Sequence, residues 1–236
     1  MSAIVSTVKL HLNKRADTFL TPLYIIGTVA VISVLISLLF LRSGSVPATA
    51  DWILGSRSNP GLAYGLAGFL VYFGVQAAAT TFPFALTLGA TRRAFVTGTL
   101  LWAILVSAYV ALTLAVLCMI EIATDHWFAG FYVFDVFLLG AGNIGLLLPI
   151  AFLGTLTLLA IGGVFGASWV RLGARGPQFV GILLAIVIVV ALIILLPSLG
   201  AIFAAFQPWW LAVVAGVLII LCSLATWLFL RSAIVR

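Results

Sequence analysis

Residues Phe179–Leu196 read FVGILLAIVIVVALIILL and contain no polar side chain. About 20 helical residues cross a hydrocarbon core of about 30 Å, so this run and its flanks are long enough to span a bilayer. Because lipid offers no hydrogen bonds to a backbone, an uninterrupted apolar run predicts a transmembrane helix. It does not show the alternating polarity of a membrane β-strand.

The whole chain has the composition of a membrane protein. Of its 236 residues, 65% are hydrophobic and 7% are charged, against roughly a quarter charged in soluble domains. This composition excludes a water-soluble enzyme and a disordered chain. The net charge of +6 is interpreted as a membrane signal, and we expect no nucleic-acid partner. Cys118 and Cys222 lack metal-ligand spacing, so we expect no metal site.

Six apolar runs predict an all-α, polytopic membrane protein with a single transmembrane domain over residues 1–236. The expected spans cover roughly 22–41, 60–82, 94–119, 144–170, 178–197 and 209–230. Prolines such as Pro22 and Pro60 stand at expected helix starts, where their missing amide hydrogen costs least. Gly162 and Gly166 have the spacing that favours close helix packing within the fourth span.

The distribution of basic residues predicts a multi-pass membrane protein with both termini in the cytoplasm. The two lysines against nine arginines favour a bacterial chain, and hence a bacterial cytoplasmic membrane. Nine basic residues then lie inside: Lys9, Lys14, Arg15, Arg92, Arg93, Arg171, Arg175, Arg231 and Arg236. Only Arg42 and Arg57 lie outside. Ala48-Thr49-Ala50 resembles a signal-peptidase site, but the apolar run before it is too long for an ordinary signal peptide.

Residues 2–17 are expected to form an interfacial helix on the cytoplasmic leaflet. A helical wheel gathers Ile4, Val5, Val8 and Leu12 on one apolar arc, with His11 among the polar residues elsewhere. Lys9, Lys14 and Arg15 would lie near anionic head groups, although Arg15 falls within the apolar arc. The alternative is a charged tail that only enforces topology.

Residues 83–93 form a short cytoplasmic segment that is first apolar and then basic. Gly89 can end one helix and Thr91 can cap the next. The segment would present Phe84, Leu86 and Leu88 below the membrane, as a protein-binding surface would. The alternative is an ordinary turn held at the head groups by Arg92 and Arg93.

Two stretches resemble the ABC-2-type transporter permeases, especially small actinobacterial ones. They are FPFALTLGATRRAFVTGTLL, between the second and third spans, and VKLHLNKRADTFLTPLYI, which resembles an elbow helix leading into the first span. The resemblance implies that the first stretch holds a coupling helix that seats in a groove of a separate ATPase subunit. The matching positions are Phe84, Leu86, Gly89, Thr91, Arg92 and Arg93. Many relatives carry a lysine shortly after the arginine pair, where this chain has Thr97-Gly98-Thr99.

The resemblance further implies a permease subunit that dimerises with itself or with a second permease and binds two ATPase subunits. The chain has no P-loop, because neither of its lysines follows a GxxxxG pattern. We therefore expect a non-enzymatic subunit without a cofactor or catalytic residue, with ATP and magnesium on the partner. The resemblance implies export, and an apolar fifth span that lined the path would favour a hydrophobic or amphipathic substrate. The alternative is that the fifth span faces lipid.

The second span carries a winding stripe at i+4 spacing: Tyr64, Gly68, Tyr72, Gln76 and Thr80. Polar groups at membrane depth are costly, so the stripe is expected either to line a translocation path or to hydrogen-bond to a packed helix.

The main alternative function is a secondary transporter or channel without an ATPase partner. No Asp, Glu, Lys, Arg or His falls inside a predicted span, which argues against proton coupling. An intramembrane protease is disfavoured because His11 and His126 lie outside the spans. Trp52 and Trp127 are interpreted as interfacial belt residues.

Overall fold

The protein is an all-helical chain with six helices long and apolar enough to cross a membrane within the residues that the structure describes. The computed structural model describes residues 3–47 and 49–233. Ala48 of the signal-peptidase-like motif and Arg236 of the charge count lie outside them. The prediction of an all-α polytopic membrane protein with a short N-terminal helix is confirmed.

Ten α-helices account for most of the described residues. They are α1 (Ala3–Leu12), α2 (Thr21–Arg42), α3 (Ala50–Arg57), α4 (Gly61–Ala79), α5 (Thr81–Thr87), α6 (Arg92–Ala123), α7 (Ile144–Leu172), α8 (Arg175–Leu195), α9 (Leu199–Ala204) and α10 (Trp209–Arg231). A π-helical turn, Ala16–Leu20, leads into α2. The second apolar stretch, Ala50–Thr87, contains three helices, α3, α4 and α5.

Local sequence explains where several helices begin and end. The Thr49 hydroxyl accepts a hydrogen bond from the Trp52 amide and caps α3. The Asn59 side chain accepts one from the Gly61 amide at the start of α4. After α7, Gly173 adopts φ +66, a left-handed conformation that glycine enters without steric cost and that ends the helix.

The chain divides into two compact units. The first contains the described parts of Met1–Lys9, Val71–Leu100 and Leu159–Arg236, and the second contains Leu10–Leu70 and Leu101–Leu158.

In the first unit, glycines bring the backbones of α4 and α7 together. A Cβ atom on Gly162 would lie 2.9 Å from the Gly74 Cα, and one on Gly166 would lie 2.5 Å from the Val75 carbonyl oxygen. Real side chains cannot adopt such distances, so only glycine fits at these points. The expected close packing at Gly162 and Gly166 is therefore confirmed.

In the second unit, α4 approaches α2 at another glycine. A Cβ atom on Gly65 would lie 2.8 Å from a methyl carbon of Val29. The connection between α6 and α7 packs on α3 through a small core of Trp52, Phe131 and Tyr132. The connection is therefore a packed element of this unit.

Candidate functional site

The segment between α4 and α6 forms a short exposed helix and a tight turn. Within α5, the Phe84 side chain is 54% exposed and Leu86 is half-buried, while Leu88 after the helix is 64% exposed. Gly89 turns the chain with φ +82, and the Thr91 hydroxyl accepts a hydrogen bond from the Ala94 amide. The structure therefore contains the short helix, the glycine turn and the threonine cap that the sequence suggested.

Aromatic packing fixes α5 against the start of α6. Phe82 and Phe95 are both fully buried, and their rings meet edge to face with centroids 5.1 Å apart. A force on α5 would therefore reach α6 through a direct side-chain contact as well as through the backbone.

Arg92 and Arg93 lie in different environments. The Arg92 guanidinium donates hydrogen bonds to the carbonyl oxygens of Leu230 (3.1 Å) and Arg231 (2.5 Å) at the end of α10. The last carbonyls of a helix lack partners inside it and favour a cation, so Arg92 ties α10 to the start of α6. Arg93 and Thr91 are exposed.

The N-terminal helix is held through residues that the helical wheel did not single out. A Cβ atom on Gly98 would lie 2.6 Å from the Thr7 Cβ, and the Thr7 side chain is buried. His11 is buried too, with its ring stacked on Trp102 at a centroid distance of 4.8 Å. Burial lowers the pKa of His11 to about 4, and Lys14 acts in the same direction.

The placement of His11 with the polar side of α1 is therefore wrong. A neutral imidazole has an apolar body that can stack on an indole, and a helical wheel cannot register such a partner. Val5, which the wheel placed on the apolar arc, is exposed. Lys9, Lys14 and Arg15 are also exposed.

The stripe on α4 lies on an exposed side of this chain. Tyr64, Tyr72 and Thr80 are exposed and Gln76 is half-buried. The Gln76 amide nitrogen donates to the Tyr72 hydroxyl at 2.8 Å, and the Thr80 hydroxyl donates to the Gln76 carbonyl at 2.7 Å. These hydrogen bonds run along α4 itself rather than to a neighbouring helix.

A buried carboxylate organises the connection between α6 and α7. Glu121 lies in the last turn of α6 with no exposed surface. Its two oxygens accept hydrogen bonds from the amides of residues 133–135 at 2.8 to 3.2 Å and from the Trp127 indole at 3.1 Å. Four N–H groups therefore converge on one carboxylate, an arrangement that stabilises a buried negative charge.

A second buried carboxylate, Asp135, joins α3 to the same connection. One of its oxygens lies 2.5 Å from the Arg57 guanidinium and 3.1 Å from the His126 ring. The Arg57 guanidinium lies 5.1 Å from the ring centroid of Tyr132. Burial raises the pKa of the Tyr132 phenol, and Arg57 acts in the opposite direction.

The backbone beside this charge pair is strained. Asp125, His126, Trp127 and Phe128 all have φ between +49 and +60. For residues other than glycine, the left-handed region costs roughly 1–2 kcal/mol each. The Trp127 hydrogen bond to Glu121 and the His126 contact with Asp135 lie within this turn, so they offset part of the strain.

Sequence reasoning did not find this carboxylate cluster. The motifs singled out in the sequence include neither Glu121 nor Asp135, yet both side chains are buried. Trp52 is more than a belt residue, because its indole donates to the Gly130 carbonyl at 2.7 Å. A chain with so few charges could have directed attention to Glu121, since an acid between apolar residues needs dedicated partners.

No protein-family model, curated protein or solved structure matches this chain. Six long apolar helices among its described residues identify it as a multi-pass membrane protein.

Proposed function

We propose that this chain is the membrane-spanning permease subunit of an ABC-2-type, ATP-driven transporter that exports a hydrophobic or amphipathic substrate. ATP and magnesium would be bound by a separate ATPase subunit, present in two copies. The observation that carries the proposal is α5, a short helix between two long apolar helices with Phe84 and Leu88 exposed. Exposed apolar side chains at a membrane boundary are best explained by a protein partner.

Contacts within the first unit support a mechanical role for α5. The Phe82–Phe95 contact links it to α6, and Arg92 links the start of α6 to the end of α10. A partner that moved α5 would therefore displace two long helices together. We assign partner contact to Phe84, Leu86, Gly89, Thr91 and Arg93, and a structural link to Arg92.

The exposed surface of the long helices supports a dimeric permease. The most apolar 18-residue stretch of Arg175–Ile202 contains no buried residue. A helix in a stable monomeric bundle normally buries one side. A second permease, identical or related, would cover part of this surface. The exposed Tyr72, Gln76 and Thr80 would then border a path shared by two subunits.

One observation favours the alternative, a secondary transporter or channel without an ATPase partner. The absence of titratable residues from the predicted spans argued against proton coupling. In the structure, however, the third long helix extends to Ala123 and includes Glu121. However, both Glu121 oxygens already accept hydrogen bonds from fixed N–H groups. These fixed contacts suit Glu121 to organising the connection between α6 and α7.

Affinity purification in mild detergent, followed by mass spectrometry, tests the proposal. From the native host, we expect a partner protein with a P-loop to co-purify with this chain in stoichiometric amount. The partner should no longer co-purify when Phe84 and Leu88 are both replaced by serine. Leu138→Ser is the matched control, because Leu138 is 55% exposed in the connection between α6 and α7. Recovery of the chain alone in several detergents, with substrate uptake by proteoliposomes lacking ATP, would refute ATP-driven transport.

A further inference from the structure

A cavity of about 600 Å³ lies within the second unit, at the end of α2 and beside α3. Small-molecule pockets generally have volumes of about 300–1,000 Å³, so the cavity is large enough for a ligand. Tyr132, from the connection between α6 and α7, completes its lining. None of its residues belongs to the segments assigned to coupling or to the α4 stripe.

The cavity is lined by exposed apolar side chains and by two buried aromatic side chains. Ile36 and Phe40 of α2 contribute exposed apolar surface, as does Val46. α3 and the connection between α6 and α7 contribute Trp52 and Tyr132, which are buried in one core cluster. The Trp52 indole is further fixed by its hydrogen bond to the Gly130 carbonyl. A rigid aromatic wall needs little reorganisation when a ligand binds.

Asp51 gives the cavity its charge. It is the one charged residue among the described lining residues, and its carboxylate forms no ion pair within the described part of the chain. The hydroxyls of Ser37 and Thr49 donate to backbone carbonyls of their own segments. The charge among the lining residues is therefore negative, and Arg57, which lies over the Tyr132 ring, is already paired with Asp135.

We propose that this cavity binds an amphipathic organic cation. The apolar body of the ligand lies against Ile36, Phe40 and Val46, and its cationic group lies near the Asp51 carboxylate and the aromatic wall. Cations are attracted both to carboxylates and to aromatic faces, whereas an anion of the same shape is repelled by Asp51. This proposal is independent of the proposed ATP-driven transport, because binding can be tested without an ATPase or ATP.

Gly55 is a lining residue at which a side chain can be added without displacing its neighbours. It lies in α3 and lines the cavity, and a Cβ atom there would meet no atom within 4 Å. Gly55→Leu therefore adds a large side chain at the cavity lining without a clash at its Cβ. Gly181→Leu is the matched control, because Gly181 lies in α8, outside the cavity lining, and also has no atom within 4 Å of a Cβ.

The test uses the full chain in phosphatidylcholine nanodiscs and equilibrium dialysis with two probes of the same shape, tetraphenylphosphonium and tetraphenylborate. Empty nanodiscs give the partitioning of each probe into lipid. We expect saturable binding of the phosphonium at one site per chain and no saturable binding of the borate. Gly55→Leu should abolish phosphonium binding, whereas Gly181→Leu should retain it.

Asp51→Asn keeps the shape of the cavity and removes its charge, so it tests the proposal even if Gly55→Leu fails to fold. We expect phosphonium affinity to fall about three- to five-fold, the effect of one accessible ion pair. Equal binding of phosphonium and borate, unchanged affinity in Asp51→Asn, or full binding by folded Gly55→Leu would each overturn the proposal. Absence of saturable phosphonium binding to the unmodified chain would overturn it as well.

Discussion

Replacement of Glu121 by alanine should open the connection between α6 and α7 while leaving the long helices in place. The substitution removes the acceptor of four N–H groups, three from the backbone of residues 133–135 and one from Trp127. A buried donor left without a partner costs about 1–3 kcal/mol. Because water will reach some of these donors, we expect a net local loss of about 3 kcal/mol rather than the full sum.

Hydrogen exchange measured by mass spectrometry follows this loss directly. Since each 1.4 kcal/mol changes an equilibrium constant tenfold, amides 133–135 should exchange roughly 100-fold faster in Glu121→Ala. In Glu121→Gln, these amides should exchange at a rate between those of the unmodified chain and Glu121→Ala. The glutamine side chain keeps one acceptor oxygen but directs an amide donor at the remaining N–H groups.

Asp125→Ala is the control, since it removes an acid from the same connection at a fully exposed position. It should leave exchange at residues 133–135 unchanged. If Glu121→Ala exchanged no faster than Asp125→Ala, the Glu121 carboxylate would not hold the connection together.

Three other outcomes follow from the structure. Because burial holds the pKa of His11 at about 4 against 6.5 when exposed, only the undocked helix binds a proton between these values. The free energy of docking α1 should therefore be fully present above pH 6.5 and should fall by about 2 kcal/mol at pH 5. Amide exchange in α1 should become faster as this free energy falls. His11→Phe should abolish the pH dependence. Phe128→Gly should raise the thermal midpoint relative to Phe128→Ala, because only glycine relieves the cost of φ +60, about 1 kcal/mol or more. Gly162→Leu should lower the midpoint strongly in detergent by separating α4 from α7, whereas Gly154→Leu, with open space around a Cβ, should lower it little.

The six long helices and the glycine contacts were predictable because both depend on patterns within one segment. Length and hydropathy identify a span, and the spacing of Gly162 and Gly166 places two small residues on one side of a helix. No knowledge of the neighbouring segment was needed. The exposed apolar residue Phe84 followed in the same way, from its place in a short apolar stretch before Gly89.

The carboxylate cluster was not predictable, because its donors are main-chain amides. Any residue type at positions 133–135 carries the same N–H group, so the sequence does not record that these groups point at Glu121. The Arg92 contact has the same character, since its acceptors are the carbonyl oxygens of Leu230 and Arg231. The burial of His11 was missed for another reason. It depends on a side chain of a distant segment, Trp102 of α6, rather than on main-chain groups.

The Glu121 contact also bears on the order in which the chain is synthesised. Its backbone donors follow it by 12 to 14 residues, and α7 begins only at Ile144. At about 5–20 residues per second, a ribosome adds this segment in roughly one to three seconds. The partners of the carboxylate among the described residues are therefore made before the fourth long helix is synthesised. The third can leave the insertion machinery with its acidic end already enclosed, without waiting for another helix to arrive.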